Sequence, residues 1–382
     1  MRARADIDLD AIAANVRTLG RLVAPARVCA VVKAGGYGHG AAPVAQASID
    51  AGAACLAVAH VEEGEALRAA GVDAAVLLLS EPDPGAMPRL VAARLQPTLY
   101  THAGIEAASA AAVAAGVTLD AHLKVDTGMR RVGADPVDAV ARAKEIDGAA
   151  GLALDGVWTH LAVADEPDHE FTAEQLRRFR AVVEELQSAG MRPRTLHTAN
   201  SAGAIAHPDA RADLVRCGIA VYGLAPSPQL AARVPLVPAL TLRSEVSFVK
   251  QVGAGEGISY GLRHRFAHDT TVATVTIGYA DGVRRRLSEV GGEVLIGGRR
   301  HPIVGTITMD QLMVDCGDHP VAPGDEVVLI GRQGDEEITA EEWAERLDTI
   351  PYEVVCGIGP RVERRWHRSG GPVEGSGTPT SG

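Results

Sequence analysis

The stretch that decides the fold runs VCAVVK at residues 28–33, AGGYGHG at 34–40 and AAPVAQASIDAG at 41–52. The first segment is an apolar strand pattern, and the third is a helical pattern. A second apolar run, CLAVAH, follows at 55–60. Apolar strands that alternate with helices predict a parallel sheet, because each helix returns the chain to the edge where the next strand begins.

This unit repeats along the first part of the chain at a spacing of about 20–40 residues. The predicted strands are 28–33, 55–60, 75–80, 95–100, 119–126, 154–161, 194–199 and 214–222. Helical patterns fill the gaps, for example at 10–23, 41–52, 61–70, 103–115, 136–146 and 172–189. Eight such units predict a closed (β/α)₈ TIM-like barrel rather than an open sheet.

The alanine content marks a boundary near residue 240. Of 65 alanines, 58 lie in residues 1–240 and 7 lie beyond. Alanine favours helices and disfavours strands, so the second part should be strand-rich. We predict an α/β barrel at 1–240, a mainly-β domain at 241–367 and a disordered tail at 368–382. Strands in the β domain are expected at 241–252, 270–278, 293–296, 301–307, 311–315 and 325–330, with a helix near 339–347.

The charge balance bears on the partners. Lys+Arg is 37 and Asp+Glu is 48, a formal charge of −11, which argues against nucleic-acid and anionic-membrane partners. No apolar run reaches the roughly 18 residues of a membrane span. The N-terminus lacks the apolar region of a secretory signal, so we expect a cytoplasmic protein. The five cysteines form no C-x-x-C pair, and neither they nor other residues suggest a metal site.

Lysine is rare, and its positions are informative. Lys33, Lys124, Lys144 and Lys250 are the four lysines against 33 arginines. Lys33 closes an apolar strand, at the barrel face where active sites are built. A desolvated lysine there suits Schiff-base chemistry. From this segment alone, a strand-end lysine that simply reaches solvent is an equally good interpretation. Lys144 and Lys250 are predicted to be solvated, whereas Lys124 lies in a strand near the barrel centre.

VVKAGGYGHG at 31–40 is similar to the pyridoxal-phosphate lysine motif of alanine racemases, and the resemblance to that family covers roughly residues 5–365. The resemblance continues in order through KVDTGMRRVG at 124–133, TH at 159–160, HTANS at 197–201, RCGI at 216–219, SYG at 259–261, GYADG at 278–282, MDQ at 309–311 and IPYE at 350–353.

The resemblance implies an N-terminal barrel, a C-terminal β domain and a homodimer with shared active sites. It implies that Lys33 holds pyridoxal 5'-phosphate as an internal aldimine and is the base on the D-face. Tyr260, supplied by the other subunit, would be the base on the L-face. The implied activity is interconversion of L-alanine and D-alanine, which supplies D-alanine for peptidoglycan.

Two bases are needed because racemisation removes the α-proton from one face and returns a proton to the other. A phenol ordinarily keeps its proton at neutral pH, so nearby positive charge should assist Tyr260. The resemblance implies a hydrogen-bonded chain from Tyr260 through His160 to Arg216. It also implies that Arg216 faces the pyridine nitrogen and, being unable to give up a proton, leaves that nitrogen unprotonated.

The remaining implied site residues bind the cofactor or the substrate. The cofactor-binding set is Tyr37, His160, Asn200, Ser201, Arg216, Gly218, Ile219 and Tyr352. The substrate carboxylate would be bound by Arg131, whose guanidinium can donate two parallel hydrogen bonds to it, and by the backbone N–H of Met309. Lys124 matches a lysine that is carbamylated in several relatives, and such a carbamate could hold Arg131.

Two departures from the family pattern affect specificity more than reaction type. Within the lysine motif, the usual Lys-Ala-Asn-Ala-Tyr-Gly run is here Lys33-Ala34-Gly35-Gly36-Tyr37-Gly38, and the two glycines should loosen the loop. Arg130 stands where a glycine is usual, so it is an alternative to Arg131 as the substrate contact. The readings that stay open are a racemase of serine or of broader specificity, a pyridoxal-phosphate decarboxylase of the same architecture, and a non-catalytic pyridoxal-phosphate-binding protein.

Overall fold

The computed structural model describes residues 3–369 and 371–373, which form two compact units. The first, called here the barrel unit, comprises residues 11–37 and 41–237. The second, called the β unit, joins residues 3–10 and 38–40 to the described residues from 238 onward. No helix among the described residues is both long and apolar enough to cross a bilayer.

The barrel unit contains eight strands, as predicted. They are Arg27–Val31, Cys55–Val58, Val76–Leu78, Thr98–Leu99, Leu119–Lys124, Leu152–Trp158, Thr195–His197 and Leu214–Cys217. All strand pairs between them are parallel. Because neighbouring parallel strands start at the same end, their carboxyl ends meet at one face.

Backbone hydrogen bonds close these strands into a ring. Two four-stranded sheets form the ring. Gln96 joins one pair of sheet edges, since its N–H donates to the Val76 carbonyl at 2.8 Å and its carbonyl accepts from Leu78 N at 2.9 Å. At the other pair of edges, Arg216 N donates to the Ala199 carbonyl at 2.9 Å. The predicted (β/α)₈ barrel is therefore confirmed.

The helices of the barrel unit follow from apolar spacing and from their end signals. They are Leu9–Val23, whose first two residues belong to the β unit, and Ala41–Asp50, Val61–Ala69, Met87–Ala92, His102–Ala115, Ala139–Gly148, Phe171–Ser188 and Ser201–Ala206. The first of them buries its apolar stripe Leu9, Ile12, Val16, Leu19 and Val23. Helix His102–Ala115 begins where the Thr101 hydroxyl accepts from Gly104 N at 3.0 Å, and ends at Gly116, whose φ is +67°.

The β unit is built on a ten-stranded sheet. In sheet order its strands are Glu336–Ile338, Glu326–Gln333, Glu293–Ile296, Arg299–Val304, Leu312–Gly317, Thr270–Val275, Leu240–Val252, Arg4–Asp8, Glu363–Arg368 and Gly371–Val373. A small hairpin pairs Gly257–Ile258 with His264–Arg265, and the helices are Ala340–Leu347 and Pro351–Cys356. The expected strands and the helix near 339–347 are all present, so the mainly-β character is confirmed.

The β unit also contains strands that local pattern did not predict. Arg4–Asp8 pairs antiparallel with Leu240–Val252 and parallel with Glu363–Arg368. This strand therefore lies in the β unit, although we expected residues 1–240 to form one domain. Its partners are more than 230 residues away, and local periodicity carries no signal for such pairing. Within the expected tail 368–382, Arg368 ends one strand and Gly371–Val373 forms another, while residues 370 and 374–382 lie outside the described residues.

The turn after Lys33 is left-handed. Ala34, Gly35, Gly36 and Tyr37 have φ values of +52°, +62°, +65° and +51°. An L-residue in this conformation places its Cβ too close to the following carbonyl, whereas glycine has no Cβ to clash. The two glycines therefore occupy a left-handed conformation that glycine adopts more easily than any other residue. At Gly36, in addition, a Cβ would lie only 3.1 Å from the Ala41 backbone.

Gly35→Ala should lower the free energy of unfolding by about 1 kcal/mol, because alanine must pay for the left-handed conformation. Space is not the reason, since nothing lies within 4 Å of the Cβ position. Gly20→Ala is the matched control: Gly20 is helical, also has open space around it, and should gain stability by about 0.5–1 kcal/mol. Urea unfolding of both variants measures the difference; equal effects would contradict the assignment.

Candidate active site

Lys33 is held at the carboxyl end of the first barrel strand by contacts on either side of it. Val32 N donates to the Ala57 carbonyl at 2.8 Å, and Ala34 N donates to Glu63 Oε1 at 2.6 Å. The other oxygen of Glu63 accepts from Ala59 N at 2.7 Å. One carboxylate thus ties the turn after Lys33 to the end of the neighbouring strand, and Lys33 itself is half-buried.

Arg216 is a buried cation inside the barrel. Its guanidinium donates to the carbonyls of Thr159 at 2.7 Å and Thr198 at 3.1 Å, and to His197 Nδ1 at 3.0 Å. It lies 4.4 Å from the ring centroid of Trp158, a cation–π contact. Burial lowers the pKa of Arg216 to about 10, so the group stays charged at neutral pH.

The surroundings of Arg216 are strongly cationic. Lys124 is buried on the same Trp158 ring, 4.4 Å from its centroid. Burial, followed by the positive charges of Arg131 and Arg216, lowers the pKa of Lys124 to about 7. Burial and Arg216 also hold the pKa of His160 well below its usual value. Such a cluster is suited to an anionic ligand or an anionic modification.

The adjacent arginines 130 and 131 have different environments. Arg130 has a φ of +57°, its backbone N–H donates to Asp126 Oδ1 at 3.0 Å, and its guanidinium lies 3.6 Å from Asp135. The charge of Arg131, in contrast, acts on Lys124. Arg131 is therefore the one of the two that belongs electrostatically to the cationic cluster.

A small cradle forms where the turn after the first barrel strand meets the turns after the last two barrel strands. The buried Ser201 hydroxyl accepts from Gly218 N at 2.9 Å, and Tyr37 stacks on Tyr222 with a centroid distance of 4.8 Å. A Cβ at Gly218 would lie 2.3 Å from the Tyr37 hydroxyl, so only glycine allows this approach. Close by in sequence, Asn200 begins the helix Ser201–Ala206 by accepting from Gly203 N at 2.8 Å, and Ile219 is buried.

In the β unit, Tyr260 lies at a cavity of about 920 Å³ and is 73% exposed. Its loop is strained, because Ser259 and Leu262 have φ values of +60° and +47°. The Ser259 hydroxyl donates to the Thr306 carbonyl at 2.7 Å, and the Thr306 hydroxyl donates to the Tyr260 carbonyl at 3.0 Å. These two hydrogen bonds hold the strained backbone of residues 259–260, while the Tyr260 side chain stays exposed.

Met309 and Tyr352 are the other two predicted site residues in the β unit. Met309 is half exposed at the tip of a tight turn in which Thr308 N donates to the Gln311 carbonyl at 2.9 Å. Gly278 lets this turn pack closely, since a Cβ there would meet the Met309 carbonyl oxygen at 2.4 Å. Tyr352 is half-buried in the helix Pro351–Cys356.

Ten of the thirteen predicted site residues lie in the barrel unit. They are Lys33, Tyr37, Lys124, Arg131, His160, Asn200, Ser201, Arg216, Gly218 and Ile219. Trp158 and His197, which contact Arg216 directly, were not predicted to have a role. His197 was visible as the first residue of the HTANS motif, whereas nothing in sequence distinguished Trp158 from a core residue. No group of three or more His, Cys, Asp or Glu side chains among the described residues could hold a metal ion.

Comparison with known proteins covers both units. Residues 7–226 match the family model described as alanine racemase, N-terminal domain, and residues 239–366 match alanine racemase, C-terminal domain. An alanine racemase of Symbiobacterium thermophilum is 49% identical over 361 residues, covering 94% of this chain and 96% of that protein. The structure of alanine racemase from Streptomyces coelicolor A3(2) has a TM-score of 0.91 at 42% identity, covering 96% of this chain and 98% of that one. Alanine racemase from Bacillus anthracis with bound L-Ala-P also has a TM-score of 0.91, at 39% identity, covering 98% of this chain and 97% of that one.

Proposed function

The chain belongs to the alanine racemase family, and from this premise we propose that it interconverts L-alanine and D-alanine with pyridoxal 5'-phosphate as cofactor. The observation that carries the proposal is the buried Arg216, held by carbonyl and imidazole groups within a cationic cluster. A buried cation that stays charged beside other cations suits a site for an anionic cofactor and substrate. D-alanine from this reaction would serve peptidoglycan synthesis.

The residues present fit pyridoxal phosphate. Ser201 and the backbone beyond Gly218 offer hydroxyl and N–H groups, which bind phosphate without a fixed charge. The glycine at 218, where a Cβ would collide with Tyr37, leaves the backbone open to close approach. Lys33 would hold the cofactor covalently, Arg216 would face its ring nitrogen, and Tyr37, His160, Asn200, Ile219 and Tyr352 would complete the binding set.

The chemistry divides between two bases. Pyridoxal phosphate, when bound, delocalises the electron pair left when the α-proton is removed. The Lys33 amine takes or returns a proton on the D-face, and the Tyr260 phenol oxygen does so on the L-face. A single base would return the proton to the face from which it came, so both residues are needed for inversion. Arg216 keeps its own proton and thereby limits how much charge the cofactor ring can accept.

The substrate carboxylate would be held by Arg131 and by the backbone N–H of Met309. The geometry of Arg130 supports this choice, because its backbone is fixed on Asp126 and its side chain lies near Asp135. A guanidinium is suited to the task, since its fork binds both carboxylate oxygens.

We further propose a cytoplasmic homodimer in which each β unit supplies Tyr260 to the barrel of the partner. Several large side chains of the β unit are more than half exposed, which supports a covering partner. They include Tyr260, Leu262, Met309 and Ile350. Sedimentation velocity on the purified protein should give a dimer, and a monomer that is fully active would contradict the shared site.

The experiment that tests the activity is solvent-deuterium exchange at Cα across a panel of amino acids. We expect deuterium in both enantiomers of alanine, with much slower exchange for serine and larger amino acids. Comparable rates for serine would change the assignment to a broader racemase. No Cα exchange with any amino acid would exclude the enzyme and leave a cofactor-binding protein.

We also propose that Lys124 carries a carbamate. Carbamate formation requires a neutral amine, and the pKa of Lys124 is lowered to about 7 by burial and by neighbouring cations. The modification replaces a buried positive charge with a negative one that can hold Arg131, which relieves the repulsion within the cluster.

The carbamylated fraction should therefore rise as pH rises through about 7, because the neutral fraction of Lys124 rises over that range. Native mass spectrometry at several pH values, with bicarbonate present, measures the added mass of one CO₂. Acid should release it, and Lys124→Ala should lack it. An unmodified Lys124 at pH 8 in bicarbonate would contradict the proposal.

A further inference from the structure

A buried chain of polar side chains runs away from Arg216 through the barrel interior. Arg216 Nη1 lies 3.0 Å from His197 Nδ1, and His197 Nε2 lies 2.9 Å from His122 Nδ1. His122 Nε2 lies 3.5 Å from Asp155 Oδ2, and the other oxygen of Asp155 accepts from Arg194 Nε at 2.5 Å. His197 is 0% exposed and His122 is 3% exposed, whereas the Arg194 side chain is 71% exposed.

The donors and acceptors of this chain can be arranged in only one direction. A guanidinium has donors and no acceptor, so His197 Nδ1 must accept from Arg216. Burial, followed by the charge of Arg216, holds the pKa of His197 well below its usual value, so its imidazole is neutral and carries its proton on Nε2. That proton is donated to His122 Nδ1. The proton of His122 is then left on Nε2, which faces the Asp155 carboxylate.

The strands around His122 are shaped to admit this arrangement. The pairing of Leu119–Lys124 with Leu152–Trp158 shifts register, so that Ala121 faces Leu154 while His122 faces Gly156. Asp155 is the extra residue of this bulge. A Cβ on Gly156 would lie 2.2 Å from His122 Nδ1, so only glycine leaves room for the imidazole.

The row of polar side chains that starts at Arg216 ends at the carboxylate of Asp155. His122 is the main cause that lowers the pKa of Asp155, and Arg194 acts in the same direction. At 3.5 Å the contact between His122 Nε2 and Asp155 Oδ2 is electrostatic and is longer than a formed hydrogen bond. Asp155 is therefore an ionised acceptor, which favours the tautomer of His122 that points its proton at the carboxylate. Arg194 Nη2 also donates to a second carboxylate, Asp120 Oδ1, at 3.1 Å.

We propose that Asp155 and His122 are positioning residues that fix the tautomer of His197 and, through it, the orientation in which Arg216 meets the cofactor ring. This rests on the proposed function. Without the Asp155 acceptor, His122 can carry its proton on Nδ1. His197 Nε2 would then have to accept, its own proton would move to Nδ1, and that N–H would face the N–H of Arg216. The carbonyl partners of Arg216 would remain, so the expected effect falls on catalysis more than on folding.

The test uses full-length protein with bound pyridoxal phosphate and ¹⁵N-labelled histidine. In the unaltered protein, the ¹⁵N shifts of His197 and His122 should each report a neutral ring protonated on Nε2. His197→Gln and His122→Gln identify the resonances. In Asp155→Leu, we expect both histidines to show mixed tautomers, and kcat to fall about 10-fold with KM changed less than twofold. Asp155→Asn keeps an acceptor oxygen, so it should retain most of the Nε2-protonated form of the two histidines and most of kcat.

Asp120→Asn is the matched control, because it removes the other carboxylate of Arg194 and should leave the tautomers and kcat as they were. A His197 protonated on Nδ1 in the unaltered protein would overturn the proposal, and so would unchanged resonances and kcat in Asp155→Leu. If Asp155→Leu does not fold, the same two readouts on Asp155→Ala decide, because alanine also lacks the acceptor oxygen; an unchanged spectrum and rate in that variant would overturn the proposal. The spectrum needs no turnover, so failure of the racemase assignment would be seen separately in the exchange assay.

Discussion

Lys33→Ala should abolish racemisation, by more than about 10⁴-fold, because two roles depend on one amine. The covalent hold on pyridoxal phosphate is lost, and so is the base on the D-face. The visible absorbance of the purified protein should disappear together with activity. Both are read on the same preparation, by an absorbance spectrum and by the circular dichroism of an alanine solution.

Lys144→Ala is the matched control for this variant. Lys144 is an exposed lysine on the helix Ala139–Gly148, so its loss should leave absorbance and activity unchanged. Circular dichroism of the protein itself should show that Lys33→Ala is folded, because the Lys33 side chain is only half-buried. A folded Lys33→Ala protein with appreciable racemase activity would exclude Lys33 from the chemistry.

Tyr260→Phe should keep the cofactor and lose racemisation by about 10²–10⁴-fold, the usual contribution of one general acid–base group. The loss should be asymmetric. Removal of the α-proton from L-alanine needs the phenol oxygen, whereas exchange at D-alanine needs only Lys33. Deuterium exchange measured from each pure enantiomer separates the two, and unchanged exchange from L-alanine would disprove the role of Tyr260.

Mixing the two inactive variants tests whether the site is shared between subunits. In a mixed dimer with sites shared in trans, one site carries both substitutions and the other carries neither. Random reassortment should then restore about a quarter of the unaltered activity. Each variant reassorted with itself is the control and should stay inactive. No recovery despite proven subunit exchange would place both residues of a site on one chain.

The barrel was predictable because its signals are local. Each strand is a short apolar run, each helix has apolar positions at helical spacing, and parallel strands gather their carboxyl ends at one face. The position of Lys33 at that face therefore follows from the sequence alone. The ordered motifs then supplied the family and the candidate site residues, which neither composition nor periodicity could supply.

Other features had no local signal. The strand Arg4–Asp8 is defined by partners at Leu240–Val252 and Glu363–Arg368, far along the chain. From sequence, Trp158 is indistinguishable from an ordinary core residue, yet its ring makes cation–π contacts with both Lys124 and Arg216. The Gly35-Gly36 pair suggested a loose loop from sequence, while the backbone there is left-handed, a conformation that favours glycine.

By itself, the sequence determined the alternation of strands and helices, the change to a strand-rich part near residue 240, and the place of Lys33 at the end of a barrel strand. These depend on periodicity and composition within short windows. Only the tertiary structure decided which groups face Arg216, why Arg131 rather than Arg130 joins the cationic cluster, and which polar side chains lie between Arg216 and Asp155. The physical reason is that hydrogen-bond direction and burial depend on residues brought together from distant parts of the chain, and those neighbours exist only once the barrel has closed.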